Sequence, residues 1–281
     1  MPDSWTETTA ALPTKIDTTV AHEARVYDYW LGGKDNYPAD RALGDAIANH
    51  VPAIRSMARA NRAFLGRAVR YAVDAGITQF LDIGTGIPTA GNTHEIAQGI
   101  DPTARVVYVD NDPIVLAHAR ALMSSTRTGK TAFIHADLHD PASILRDPAL
   151  TATLDLDRPV AIMLVSIMMY FRDSDDPHTI IANLLDVVPT GSYLVITHPT
   201  ADFDERAMAR VVASAESAGI TFNPRSRAET ESLFAGTELV EPGVVPVVTW
   251  HPELVGDLSG PRAVQADPES AWYWAGVGRK P

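Results

Sequence analysis

Residues 79–86 read Gln-Phe-Leu-Asp-Ile-Gly-Thr-Gly, a short apolar run that breaks into a glycine turn. A second apolar run, Val-Val-Tyr-Val-Asp at 106–110, ends on an acid. Glycine lacks a Cβ and tolerates left-handed backbone, so such a turn lets main chain approach a ligand closely. A carboxylate at the end of the following strand is placed to accept hydrogen bonds from a ribose. Together the two stretches predict a Rossmann-like site for a nucleoside-bearing cofactor.

The turn itself narrows the cofactor. A dinucleotide fingerprint, G-x-G-x-x-G, calls for a third glycine after Gly84 and Gly86, and this chain has Thr89 there. Pro88 fixes the turn and removes an N–H that a pyrophosphate would use. A cofactor without pyrophosphate, such as S-adenosylmethionine, suits this departure better. Its amino-acid end is expected across the turn formed by Asp82, Gly84, Thr85 and Gly86, with its ribose on Asp110.

Outward from this core, apolar runs predict strands at 79–83, 105–109, 131–135, 160–165 and 192–197, separated by helical segments at 91–98, 113–123, 142–146, 177–187 and 204–218. Compact apolar strands alternating with helices imply an α/β fold with a mostly parallel, doubly covered sheet. Val244–Trp250 and Ala271–Gly278 read as strands pairing into an antiparallel C-terminal hairpin, with a short helix over 227–234 before them and a Pro/Gly/Asp-rich loop over 252–270 between them. Ahead of the sheet, helices are expected over 21–31, stopped by Gly32-Gly33, over 39–48, and from Pro52 to Gly76. The division is a loose tail over 1–18, a helical cap or lid over 19–76, and a cofactor-binding catalytic domain over 77–281.

Composition bounds the partners. The chain has 281 residues, 46% of them hydrophobic, and a formal charge of −12. No Lys/Arg block offers a phosphate-binding face, which argues against nucleic acid. The absence of cysteine removes disulfides and thiolate chemistry. The longest strongly apolar run, Val160–Phe171, is too short to span a bilayer, and the first residues lack the pattern of a secretory signal. A cytoplasmic protein that does not engage membranes is expected. An apolar helix face buries against its own domain as readily as against another subunit, so oligomeric state stays open.

The residues resemble a known family. Asp82-Ile-Gly-Thr-Gly, Tyr108-Val-Asp110 and Ala136-Asp137-Leu138 are similar to motifs of class I S-adenosylmethionine-dependent methyltransferases. More narrowly, Arg25-Val-Tyr-Asp-Tyr-Trp-Leu-Gly-Gly-Lys-Asp-Asn-Tyr37 and Asp82-Ile-Gly-Thr-Gly-Ile-Pro-Thr89, extended by Asn92, His94 and Glu95, resemble the actinobacterial S-adenosyl methyltransferase family, formerly a domain of unknown function. The resemblance runs from about Thr19 to the C-terminal strand. It implies a Rossmann-like sheet ending in an antiparallel hairpin, use of S-adenosylmethionine, and a methyl acceptor that the family does not specify. It also implies that Asp82, Gly84 and Gly86 surround the methionine end and Asp110 the ribose. Asn111 would shape the adenine edge, Asp137 and Leu138 would lie beside adenine, and Ser166 would hold the donor from below.

The acceptor side is read less directly. Tyr27, Tyr29, Lys34, Asn36 and Tyr37 lie in or beside the first helix and its double-glycine break, and are expected to fold over the donor as a lid. His198, after the fifth strand, is the candidate general base. The acceptor cavity is expected to open toward Tyr29, Lys34, Ser166 and His198. No metal site is called: His94-Glu95 lacks a second histidine at helical spacing, and adenine recognition explains Asp137 better than a His135/Asp137/His139 cluster. The leading function is methyl transfer to a small molecule, with O-methylation slightly favoured over N-methylation. The alternatives are a noncatalytic S-adenosylmethionine sensor and an NAD-dependent oxidoreductase.

Overall fold

Strand β1 (Gln79–Ile83) is buried at all five positions and sits inside the sheet, parallel to β2 (Arg105–Asp110) on one side and β4 (Ala161–Val165) on the other. A strand covered on both faces shows no polar alternation, which is why this stretch reads as one apolar run. The computed structural model describes residues 17–115, 117, 126–254, 267 and 270–281. In it, β3 (Lys130–His135) pairs with β2 and β5 (Tyr193–Pro199) with β4, all in parallel. Then β8 (Tyr273–Arg279) runs antiparallel to β5. Two short pieces, β6 (Glu238–Leu239) and β7 (Val245–Pro246), complete the edge, giving the order β3-β2-β1-β4-β5-β8-β6 with β7 also on β8.

Successive strand residues face opposite layers. Phe80, Val106, Tyr108, Met163 and Val195 join one apolar cluster, while Leu81, Val107, Val109, Ile162 and Leu194 join the other. The first cluster is closed by α1 (Glu23–Leu31), α2 (Pro38–His50), α3 (Ile54–Asp74), α4 (Thr93–Ile100) and the helix Glu205–Ser217. The N-terminal helices therefore share their core with the sheet, and α3 is one of the sheet's covering layers. Phe64, Leu65, Ala68, Val69 and Ala72 form its buried stripe. The second cluster lies under the helix Pro141–Arg146 and the helix Pro177–Asp186.

The five parallel strands fall where the apolar runs predict them. Gly32 ends α1 in the left-handed region at φ 84°, as the double glycine implies. The expected strand Val244–Trp250 is much shorter. Only Val245 and Pro246 pair with β8; Val247 adds one bond to the Tyr273 carbonyl, and the chain then turns at Pro246–Thr249. Pro246 has no N–H to continue a ladder, and Val247 and Trp250 turn into the core beside α3. Much of the expected tail, the later part of the 113–123 helix and most of the 252–270 loop lie outside the described residues. Among those described, no helix is long and apolar enough to cross a membrane.

Arg67 fastens α3 to that turning segment. It is 2% exposed; its Nε donates to the Trp250 carbonyl at 2.8 Å and its Nη2 to the Val247 carbonyl at 2.6 Å. Burial lowers its pKa to about 10, so the guanidinium stays charged at neutral pH. Arg67→Ala would leave two buried carbonyls without donors, at a cost of about 3 kcal/mol. Urea denaturation should show this loss, whereas a change below about 0.5 kcal/mol, the size usual for surface substitutions, would mean that water replaces the arginine.

Candidate active site

The turn after β1 is held by its neighbours before any ligand is considered. Gly84 and Gly86 have φ of 73° and 67°, the region that favours glycine. A Cβ on Gly84 would lie 2.7 Å from the Ile167 side chain, so the close approach also demands glycine. The N–H groups of Gly84 and Thr85 donate to the Val109 carbonyl, and that of Gly86 donates to Asp110 Oδ2 at 2.8 Å. Asp110 Oδ1 accepts from the Asp112 N–H. Burial pushes the Asp110 carboxyl up to about 6, against the two backbone N–H groups that favour its charge.

Asp82 is also raised to about 6 by burial, opposed by the Thr93 hydroxyl and by Arg62. Thr93 Oγ1 donates to Asp82 Oδ2 at 2.6 Å. The residues that follow are structural. Glu95 accepts from the N–H groups of Gly91 and Asn92 in a capping box, and His94 bonds the Tyr108 hydroxyl. Asn92, His94 and Glu95 thus start α4 and fix it against β2.

Around this turn lies a cleft lined by Asp82, Gly84, Thr85, Gly86, Asp110, Asn111, Asp137, Leu138, Ser166 and Tyr27, among others. Every residue singled out in the sequence for cofactor contact borders it. Asp137 accepts from the His139 backbone and ring and from Asn111 Nδ2. Burial works to raise its carboxyl, but those donors outweigh it and leave it below the usual range. His139 stacks on Phe171 with centroids 4.1 Å apart, giving this end of the cleft a flat wall. Ser166 sits at φ 57°; its N–H donates to Thr197 Oγ1 and its hydroxyl accepts from Asn61 Nδ2 at 2.8 Å.

Four lid residues lie elsewhere. The Tyr29 hydroxyl donates to Asp45 and accepts from Arg55, on the outer side of the helices. Lys34 is exposed and borders neither described cavity. Asn36 is buried, donating to Asp28 and Gly33 and accepting from Arg41. Tyr37 packs against Ile87, Ile114 and Val115. The wall that α1 gives the cleft is made instead by Glu23, Ala24 and Tyr27, with His22 at its N-cap.

His198 requires a correction. It is fully buried and lines neither cavity: Nδ1 contacts the Pro199 carbonyl at 2.9 Å and Nε2 faces Arg225 at 3.0 Å. Burial lowers it to about 4, so it is a neutral spacer between β5 and Arg225 with no free nitrogen to offer an acceptor. A histidine at a strand's carboxyl end points into the cleft or into the core by its register alone, and here it points into the core.

Two residues that sequence reasoning passed over belong to the cleft. Asn61 is 1% exposed and lies on the buried stripe of α3 between Met57 and Phe64. Its Nδ2 reaches both the Tyr27 hydroxyl and Ser166, while its Oδ1 is buried without a partner. An asparagine on an otherwise apolar stripe is the signal that could have found it. Arg62, next along, is the one Lys or Arg among the described residues lining the cleft, against Glu23, Asp82, Asp110 and Asp137. An acidic cleft with one guanidinium and an orphan amide oxygen fits a cofactor that carries a sulfonium, an ammonium and a single carboxylate.

The parallel sheet closed by an antiparallel β8, with a glycine turn and strand-end acids around one cleft, defines a class I S-adenosylmethionine-dependent methyltransferase. The chain belongs to the S-adenosyl methyltransferase family, whose profile matches residues 9–281. It is similar to a DUF574 family protein from Streptomyces avermitilis, at 47% identity over 95% of this chain and 100% of that one, with a TM-score of 0.89. It is also similar to a putative methyltransferase from Thermobifida fusca, at 39% identity over 97% and 99% of the two chains, with a TM-score of 0.84. The plantazolicin methyltransferase BpumL, solved with a triazolic desmethylPZN analog and SAH, shares the fold at 15% identity over 92% of this chain and 96% of that one, with a TM-score of 0.54. No functionally curated protein matches the chain.

The buried acids give the cleft a pH signature. The pKa values of Asp82 and Asp110 in the folded protein, about 6 each, exceed those of exposed carboxylates. The folded state therefore holds more protons between about pH 4 and pH 6, and these groups' contribution to stability falls as pH rises through that window. Relative to the Asp82→Asn/Asp110→Asn double variant, the ligand-free wild type should lose on the order of 5 kcal/mol between pH 4 and pH 7, roughly half from each acid. Parallel denaturation curves of the two proteins across that range would contradict the burial assigned to the acids.

Proposed function

We propose that this methyltransferase acts on a small-molecule acceptor, with a hydroxyl oxygen as the nucleophile. The observation that carries the reading is the acidic cleft around Gly84–Gly86, lined by buried Asp82, Asp110 and Asn61 together with Arg62. In this reading Arg62 pairs with the donor's carboxylate and the orphan Oδ1 of Asn61 accepts from its ammonium. Asp82 and the Gly84-Thr85-Gly86 backbone flank the methionine end, and Asp110 takes the ribose hydroxyls. Asn111, Asp137 and Leu138 border the adenine, whose ring lies toward the Phe171–His139 wall.

When bound, the donor supplies a methyl carbon on a positively charged sulfur. The acceptor's lone pair forms the new bond, the carbon–sulfur pair stays on sulfur as a neutral thioether, and the acceptor's proton leaves to a carboxylate or to water. The protein's part is alignment and exclusion of competing water. Ser166, held by Asn61 and Thr197, positions this end of the cleft, with Tyr27 beside it. Glu23 is the carboxylate that α1 contributes here. An amine beside it would be held as an ammonium without a lone pair, whereas a hydroxyl keeps its lone pairs; this favours oxygen over nitrogen. The net charge of −12 and the absence of a basic face support a cytoplasmic enzyme of small molecules that does not act on nucleic acid.

Calorimetry with S-adenosylhomocysteine tests the donor assignments. Asp110→Ala and Arg62→Ala should each weaken binding about tenfold or more, the size expected for losing hydrogen bonds to a charged group. Unchanged affinity in Asp110→Ala would remove the ribose assignment. For the reaction, a donor carrying a trideuterated methyl group is incubated with the enzyme and cell extract. Mass spectrometry should find the label in a low-molecular-weight product on oxygen. Label found only on protein or nucleic acid, or on nitrogen, would overturn the acceptor class.

A further inference from the structure

A second, smaller cavity adjoins the donor cleft. Its walls are Trp30, Leu43 and Met57 from the N-terminal helices, Val211 from the helix Glu205–Ser217, Met169 from the short 3-10 helix Met168–Tyr170, and Phe222 from a loop. Among the described residues that line it, Glu23 alone is charged, and only Tyr170 and Tyr273 carry hydroxyls. Protein interiors leave few voids larger than a water molecule, so an apolar space with room for more than one between packed helices is not ordinary packing.

The junction carries the argument. Glu23 and Tyr170 line both cavities. Tyr273 lines the second and hydrogen-bonds Ser166, which lines the first. The polar groups of the second cavity are thus gathered where it meets the donor cleft, and the rest of its wall is apolar. A charge placed deep in the cavity, away from Glu23, would lose its hydration against that wall with no partner in return. An anion would additionally meet the Glu23 carboxylate at the mouth.

We propose that this second cavity is the acceptor site, that it holds a neutral, predominantly apolar small molecule, and that the molecule's nucleophilic atom emerges between Glu23 and Tyr170. The proposal rests on the donor reading of the first cleft. It replaces the acceptor cavity expected toward Tyr29, Lys34 and His198, none of which borders this space.

N-Phenyl-1-naphthylamine, a neutral probe that emits strongly in apolar surroundings, tests it on the full chain saturated with S-adenosylhomocysteine. The wild type should bind one probe per chain in a saturable titration. Leu43→Phe and Ala215→Phe, which fill the cavity from two different helices, should each weaken probe binding about tenfold or more. Both should bind S-adenosylhomocysteine as the wild type does, which also reports that they fold. Two fillings keep the test decisive if one variant fails to fold. The anionic 8-anilinonaphthalene-1-sulfonate should bind at least about tenfold more weakly than the neutral probe. Absence of saturable probe binding, equal binding in a folded filled variant, or preference for the anionic probe would overturn the proposal. Failure of the wild type to bind S-adenosylhomocysteine would instead remove the donor reading, and the probe titration of the ligand-free chain would still report on the cavity.

Discussion

The carboxylate of Asp110 ties three strand ends into one rim. Its Oδ2 holds the Gly86 N–H after β1, its Oδ1 holds the Asp112 N–H after β2, and its own carbonyl accepts from Ala136 just past β3. Because these bonds are buried, they also keep a costly charge in place, and burial lifts its pKa to about 6. The glycine turn cannot open without stranding that carboxylate. The left-handed backbone at Gly84 and Gly86, the close approach of Ile167 and the line of the cleft all follow from keeping it satisfied. A ligand with paired hydroxyls would complete the same acceptor set, which still has lone pairs to give.

Why some of this is legible in the sequence and some is not comes down to distance along the chain. The parallel strands announce themselves because burial on both faces writes a continuous apolar run. Asp82, Asp110 and Asp137 announce themselves because each lies within two residues of the end of such a run. What the sequence hides is what arrives from elsewhere in the chain. Asn61 reaches Ser166 across 105 positions, and its only local mark is a polar residue on an apolar stripe. Glu23 and Tyr170 meet at a junction of two cavities although one starts α1 and the other follows β4. His198 fails in the opposite sense: it has the right residue type at the right end of the sheet, but its register turns it into the core onto Arg225. Tyr29 and Asn36 fail likewise, since a helix and its cap have an outer face as well as an inner one.

Helix α3 explains how a site drawn from distant segments is held together. It lies on the sheet through its apolar stripe, and Arg67 locks it to the carbonyls of Val247 and Trp250. Five positions earlier, Arg62 faces the cleft and donates to the Gly91 carbonyl, and Asn61 joins Tyr27 of α1 to Ser166 after β4. One rigid element therefore sets both the spacing of the first helix from the sheet and the polar floor of the cleft. This is why the N-terminal helices are better understood as part of the catalytic body than as a separate lid.

The two cavities divide the electrostatic work. The donor cleft is acidic and suits a cation; the second cavity is apolar and suits a neutral molecule. Where they meet, burial raises the phenols of Tyr27, Tyr170 and Tyr273, and for Tyr170 the Glu23 charge adds to it. Phenols held so high stay protonated at any physiological pH and do not remove protons; Tyr27 already gives its one proton to the Ala58 carbonyl, which leaves Tyr170 and Tyr273 as the donors. Donating to one lone pair of an acceptor oxygen leaves the other free to face the methyl carbon. Glu23 is the carboxylate shared by both cavities, beside the point where the acceptor's nucleophile would emerge. In the proposed arrangement the tyrosines orient the acceptor, and no buried histidine is needed.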